Sequence, residues 1–112
     1  MEEKRPIHAD RWIEYSDTFI SGNRGRISTL KIEPEGENKQ IIAKEIPLLN
    51  LVVDPIDKGD VITIALGHGM EVISHKVYSP IEIIESFNPQ NGQVVSLEFQ
   101  NKDFEVTELL FQ

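Results

Sequence analysis

Residues 61–77 read VITIALGHGMEVISHKV, and the reading of this stretch decides the fold. Two runs of β-branched and aliphatic residues flank Gly67-His68-Gly69, the pattern of a hairpin whose loop needs a glycine at positive φ. With these three residues as the loop, Leu66 faces Met70, Ile64 faces Val72 and Ile62 faces Ser74. All six share one side, because side chains alternate along a strand. The other side carries Val61, Thr63, Ala65, Glu71, Ile73 and His75. That face is mixed rather than polar, so the hairpin calls for cover on both sides.

Upstream, residues 1–9 form a polar leader, and residues 10–112 are expected to be a single α+β domain. Asp10 is a helix N-cap by residue type. Trp12, Tyr15, Ser16, Phe19 and Ile20 follow at helical spacing, and Gly22 or Asn23 ends the helix. One amphipathic helix of about three turns is marginal alone, so its stripe must dock on a sheet. Residues 27–32 alternate as a strand, with Ser28, Leu30 and Ile32 on one face. Residues 41–43 and 48–53 read as a strand interrupted near Pro47, which lacks an amide donor. Downstream, Ser79-Pro80 bends the chain, residues 81–87 form a strand, and Asn88 to Gly92 form a loop. Two further strands, 94–100 and 104–111, close a last hairpin around Asn101-Lys102-Asp103. The expected class is therefore α+β, with one N-terminal helix followed by about six antiparallel strands. These form a strongly curled sheet or a small barrel of SH3 or Sm type, or else an open sheet with the helix across it.

Composition narrows the function classes. The chain of 112 residues has no cysteine, which removes disulfides, thiolate metal sites and cysteine nucleophiles together. No run of about 18 apolar residues is present, and the charged start lacks the apolar core of a signal peptide. A cytoplasmic location is the default. Residues 1–44 hold eight Lys/Arg and eight Asp/Glu, while residues 45–112 hold three and eleven, so the net charge of −8 falls on the strand-rich part. Phosphate backbones and anionic lipids need clustered cations, so neither nucleic acid nor membrane is expected as a partner.

Each chemical motif has a plain structural alternative. His68 and His75 share one hairpin but stand apart along the ladder, and no cysteine completes a metal site; His75 reads better as a residue of a half-buried face. Asp54, Asp57 and Asp60 form an oxygen-rich loop without the order of a calcium-binding loop, and turn aspartates ordinarily accept from backbone amides. Arg24 and Arg26 suit an anion, or pairing with the domain's own carboxylates. Gly67-His68-Gly69 lacks the lysine and helix of a phosphate loop, and no strained serine elbow is present. Glu82 with Glu85, and Glu105 with Glu108, are oddly spaced and point to opposite faces, as solubilising charges do. No cofactor is expected.

The leading Trp12…Phe19 helix is followed by Gly25-Arg26…Thr29-Leu30 and by Pro47-Leu48 leading to Val53-Asp54-Pro55. After the acidic turn come Val61-Ile62-Thr63-Ile64-Ala65-Leu66, His75, Ser79-Pro80 with Ile83, and Ser96-Leu97-Glu98-Phe99. Over roughly residues 10–111 this resembles a bacterial family of small domains of unknown function, a helix followed by antiparallel strands. The resemblance implies a bacterial cytoplasmic protein and carries no activity, substrate or catalytic residue.

Two function classes follow. The first is a non-enzymatic binding or assembly module that self-associates through apolar sheet surface or a strand edge. Ile73, Val77, Ile84, Leu109 and Phe111 are its candidate interface, because they exceed what one sheet face and one helix can hide. The second is a small-molecule-binding domain with a cleft near the helix, using Trp12, Arg26, His75 and Tyr78. An enzyme is the least favoured reading, since no activated nucleophile or ligand cluster is visible.

Overall fold

The helical stripe forms where the spacing puts it. In the computed structural model, which describes residues 2–54 and 61–112, helix α1 spans Trp12–Asn23 and buries Trp12, Ser16, Phe19 and Ile20. Asp10 is not its N-cap. It lies inside a short 3-10 turn, Ala9–Arg11, that leads into the helix, and among the described residues no side-chain hydrogen bond caps the N-terminus of α1. At the far end Asn23-Arg24-Gly25-Arg26 forms a tight turn, with the Arg26 amide donating to the Asn23 carbonyl at 3.1 Å. Arg24 has φ −59° and ψ 133° while Gly25 has φ +92°, the type II geometry that requires glycine at its third position.

Eight strands are present among the described residues: β1 Glu3–Ile7, β2 Ile27–Glu33, β3 Gln40–Val53, β4 Val61–His68, β5 Glu71–Tyr78, β6 Pro80–Phe87, β7 Val94–Asn101 and β8 Val106–Phe111. They form one antiparallel sheet in the order β1-β6-β7-β8-β2-β3-β4-β5. Both ends of that order are unpaired, so the sheet is open rather than a closed barrel. It is nevertheless curled. Laid flat, eight strands would spread about 34 Å in width with a far smaller depth, whereas the Cα extents are 32 × 31 × 30 Å. The inner face carries Leu30, Leu48, Leu51, Ile62, Ile64, Leu66, Ile83, Leu97, Phe99 and Leu109 in one core with the helix stripe.

Several expectations are corrected here. The polar leader contains β1, an edge strand paired with β6 through Arg5–Glu85 and Ile7–Ile83. The central hairpin pairs in a different register: Leu66 faces Ile73, Ile64 faces His75 and Ile62 faces Val77, and the loop is Gly69-Met70. An odd shift exchanges faces, so Ile73, His75 and Val77 point inward while Val72 and Ser74 point outward. The cause lies in the glycines. Gly67 (φ +137°) stays within the ladder, where a Cβ would lie 2.1 Å from the Glu71 carbonyl oxygen, and Gly69 (φ +63°) begins the turn. Strand β3 is continuous, but it bends at Glu45 (φ 55°) and Pro47, where its partner changes from β2 to β4. Short connections do not always pair their strands either. β5 and β6 are separated by Ser79 alone, yet they lie far apart in the sheet order, because Ser79 at φ 51° turns a corner. Of the acidic loop, Asp57 and Asp60 lie outside the described residues.

Candidate functional site

One row of the inner face runs Arg5, Glu85, Leu97, Leu109, Leu30, Ala43 across six strands. Four apolar residues are what a buried row needs; the ion pair at its end is not. Glu85 is only 3% exposed. Its Oε1 accepts from Arg5 Nη2 and its Oε2 from the Tyr15 hydroxyl, so both carboxylate oxygens are satisfied from different elements. Burial, and then the hydrogen bond and charge of Glu85, push the Tyr15 hydroxyl well above its ordinary pKa, against a smaller opposing effect of Arg5. Tyr15 therefore remains a protonated donor. The Arg5 guanidinium also lies over the Phe87 ring, 4.5 Å from its centre.

Beside this triad β1 and the start of α1 enclose a groove of about 400 Å³, lined by Arg5, Pro6, Ile7, His8, Arg11, Glu14, Tyr15 and Thr18. Its walls are fixed to one another, because Trp12 Nε1 donates to the Ile7 carbonyl at 2.9 Å. Arg11 and Glu14 are exposed, and neither side chain has a hydrogen bond or ion pair among the described residues. The groove thus combines an exposed arginine and a half-buried tyrosine that both hold the buried Glu85 carboxylate behind the wall, two opposite charges free among the described residues, and an apolar wall at Pro6 and Ile7. Convergent polar groups in an apolar cleft are the usual makings of a ligand site.

The opposite end of α1 is closed. Arg26 donates from Nη1 to Asn23 Oδ1 at 2.9 Å and to the Val94 carbonyl at 2.8 Å, and its guanidinium lies 4.5 Å over Phe111. Burial lowers its pKa. Arg24 Nε donates to the Leu49 carbonyl at 3.0 Å. Neither arginine is paired with a carboxylate among the described residues; both tie the helix end to the sheet.

The expected cleft residues are dispersed. Trp12 is buried at the start of the helix and Arg26 stands beyond its end, while His75 and Tyr78 occupy opposite faces of β5. Tyr78 is exposed. His75 Nε2 is buried and has no hydrogen-bond partner among the described residues, and burial lowers the pKa of the ring, partly offset by Glu105. Among the expected interface residues, Val77 and Leu109 lie inside the chain's own core, Ile73 and Phe111 pack half-buried against it, and Ile84 is half-buried on β6. Ile73, Val77, Leu109 and Phe111 are covered because the sheet has eight strands, with more inner surface than six would offer, whereas Ile84 alternates with inward-facing Ile83 and Glu85 and lies on the outer face. The apolar side chains left outside include Val52, Val72 and Tyr78 instead. No group of three or more metal-ligating side chains occurs among the described residues.

Arg5 and Glu85 carry no local signal in the sequence. They are 80 positions apart, and the odd-spacing rule places Glu85 opposite Glu82 without saying which of them faces inward. Tyr15 is visible as a stripe residue, but its hydroxyl partner is not.

The chain matches the family of unknown function DUF5335 over residues 3–112 and belongs to it. No curated protein and no solved structure matches it.

Proposed function

We propose that this member of DUF5335 is a non-enzymatic small-molecule-binding domain whose site is the groove between β1 and α1. The observation that carries the reading is the Glu85 carboxylate, buried in an apolar row and held by Arg5 and Tyr15 at the groove wall. Burying a charge is costly unless it is paired, and stability alone is served as well by apolar residues. The polar atoms are suited to binding: Tyr15 keeps its proton, and Arg5 is oriented by a carboxylate and a ring. A fragment screen followed by amide chemical shifts tests the reading. Hits should perturb residues 5–18 first and raise the melting temperature, because a ligand of the folded state alone stabilises it. Perturbations confined to other parts of the chain would overturn it, as would a Thr18→Trp variant, with the groove filled, that binds the same hits unchanged.

Self-association is a second reading, favoured by the free edge of β5 beside exposed Val72 and Tyr78. Light scattering across a concentration series tests it. A dimer abolished by Val72→Lys would support edge pairing, and a monomer at all concentrations would remove it.

A further inference from the structure

We propose that the ligand of this groove is a small zwitterion, an α-amino acid with an apolar side chain. The inference rests on the reading of the groove as a binding site and names what that site selects. Arg11 and Glu14 both line the groove, three positions apart, close enough on a helical turn to pair with each other. They do not pair; each is free among the described residues. Behind them Arg5 and Glu85 already neutralise one another. The formal charges of these four groups therefore sum to zero, with one free cation and one free anion facing the same space.

A lone carboxylate would satisfy Arg11 and leave Glu14 beside it as a like charge. A lone amine would do the reverse. A group that carries both charges on one carbon can meet both, with the carboxylate on Arg11 and the ammonium on Glu14. A net-neutral ligand also avoids the long-range repulsion that a chain of net charge −8 imposes on anions. Pro6 and Ile7 supply apolar surface for the ligand's side chain. The volume of about 400 Å³ lies near the lower end for ligand pockets, which suits a single amino acid rather than a nucleotide-sized molecule.

The experiment compares three probes that share one isobutyl group by chemical-shift titration: leucine, 4-methylpentanoate, which lacks the amine, and 3-methylbutylamine, which lacks the carboxylate. Leucine should bind about tenfold or more tightly than either singly charged analogue. Glu14→Gln should weaken leucine about tenfold and leave 4-methylpentanoate unchanged or improved, while Arg11→Gln should weaken both. Both residues are exposed, so the variants should keep the wild-type fold and melting temperature. If 4-methylpentanoate binds as tightly as leucine at residues 5–18, the zwitterion assignment falls and the groove stands. If none of the three probes binds while screening hits still map to the groove, the assignment falls as well. Leucine shifts that map elsewhere in the chain would count against groove and ligand class together.

Discussion

Two arginines outside helix α1, Arg5 on β1 before it and Arg26 after it, each place the guanidinium 4.5 Å over a phenylalanine ring, Arg5 on Phe87 and Arg26 on Phe111. The likeness stops there. Arg26 donates from Nη1 to a side-chain amide oxygen and a main-chain carbonyl, both neutral, and its end of the helix is sealed. Arg5 is tied to a buried carboxylate and stands at the wall of a groove. A cation held by neutral acceptors is enough to strap a helix to a sheet. A carboxylate carried into an apolar row exceeds what strapping needs, and the proposal of a binding site at the β1 end rests on that surplus.

The largest expected effect falls on the sealed end. Phe111→Ala removes a ring that packs on Phe19, centroids 5.6 Å apart, and that supports Arg26. We expect a loss of about 3 kcal/mol, near the low end for phenylalanine truncation because the ring is half-buried. Urea unfolding measures it, and a loss no greater than that of Phe87→Ala would erase the contrast between the two ends. Arg5→Ala comes next. It leaves Glu85 with Tyr15 as its remaining partner, and should cost about 2 kcal/mol at neutral pH. Arg26→Gln should cost about 1 kcal/mol, for two hydrogen bonds to neutral groups and a cation–ring contact. It should leave ligand binding at the groove unchanged. A loss larger than that of Arg5→Ala would show that the two ends hold their charges alike.

The smallest effect is a pH dependence from His75, which lies at neither end and so supplies the background. Burial depresses its folded-state pKa below the ordinary value of about 6.5. The unfolded chain then binds more protons than the folded one as pH falls through that value. The contribution of His75 to stability is complete above about pH 6.5 and is lost on acidification toward the depressed folded value. Melting temperatures between pH 7.5 and 5.5 should fall less in His75→Leu than in the wild type. Equal slopes would remove His75 from the account.

The same contrast explains what the sequence made legible. The sealed end is built from periodic apolar residues and a glycine turn, and Phe19, Ile20 and the chain reversal after Asn23 all announce themselves locally. The groove end is built from residues that read as solvent-facing. Glu3-Lys4-Arg5-Pro6-Ile7 looks like a leader because it is an edge strand, and charge and proline on an edge are what prevent unwanted pairing. Glu85 looks like a solubilising charge because the residues that hold it come from elements 70 and 80 positions away. The hairpin was legible as a hairpin but not in register, since Gly67 and Gly69 offer two places for the turn. Only the clash of a Cβ with the Glu71 carbonyl shows why Gly67 belongs to the strand.

The central claim is that the Arg5–Glu85 pair is retained for binding rather than for stability. It is tested most directly by the triple variant Arg5→Met/Tyr15→Phe/Glu85→Leu, followed for both thermal stability and the chemical-shift response to leucine. Replacing the buried carboxylate together with both of its partners by apolar residues leaves no donor or acceptor of the cluster unpaired and is near neutral or stabilising. We therefore predict a melting temperature at or above that of the wild type, together with loss of the leucine response at residues 5–18. A triple variant that binds leucine as the wild type does would contradict the account, and so would one that fails to fold.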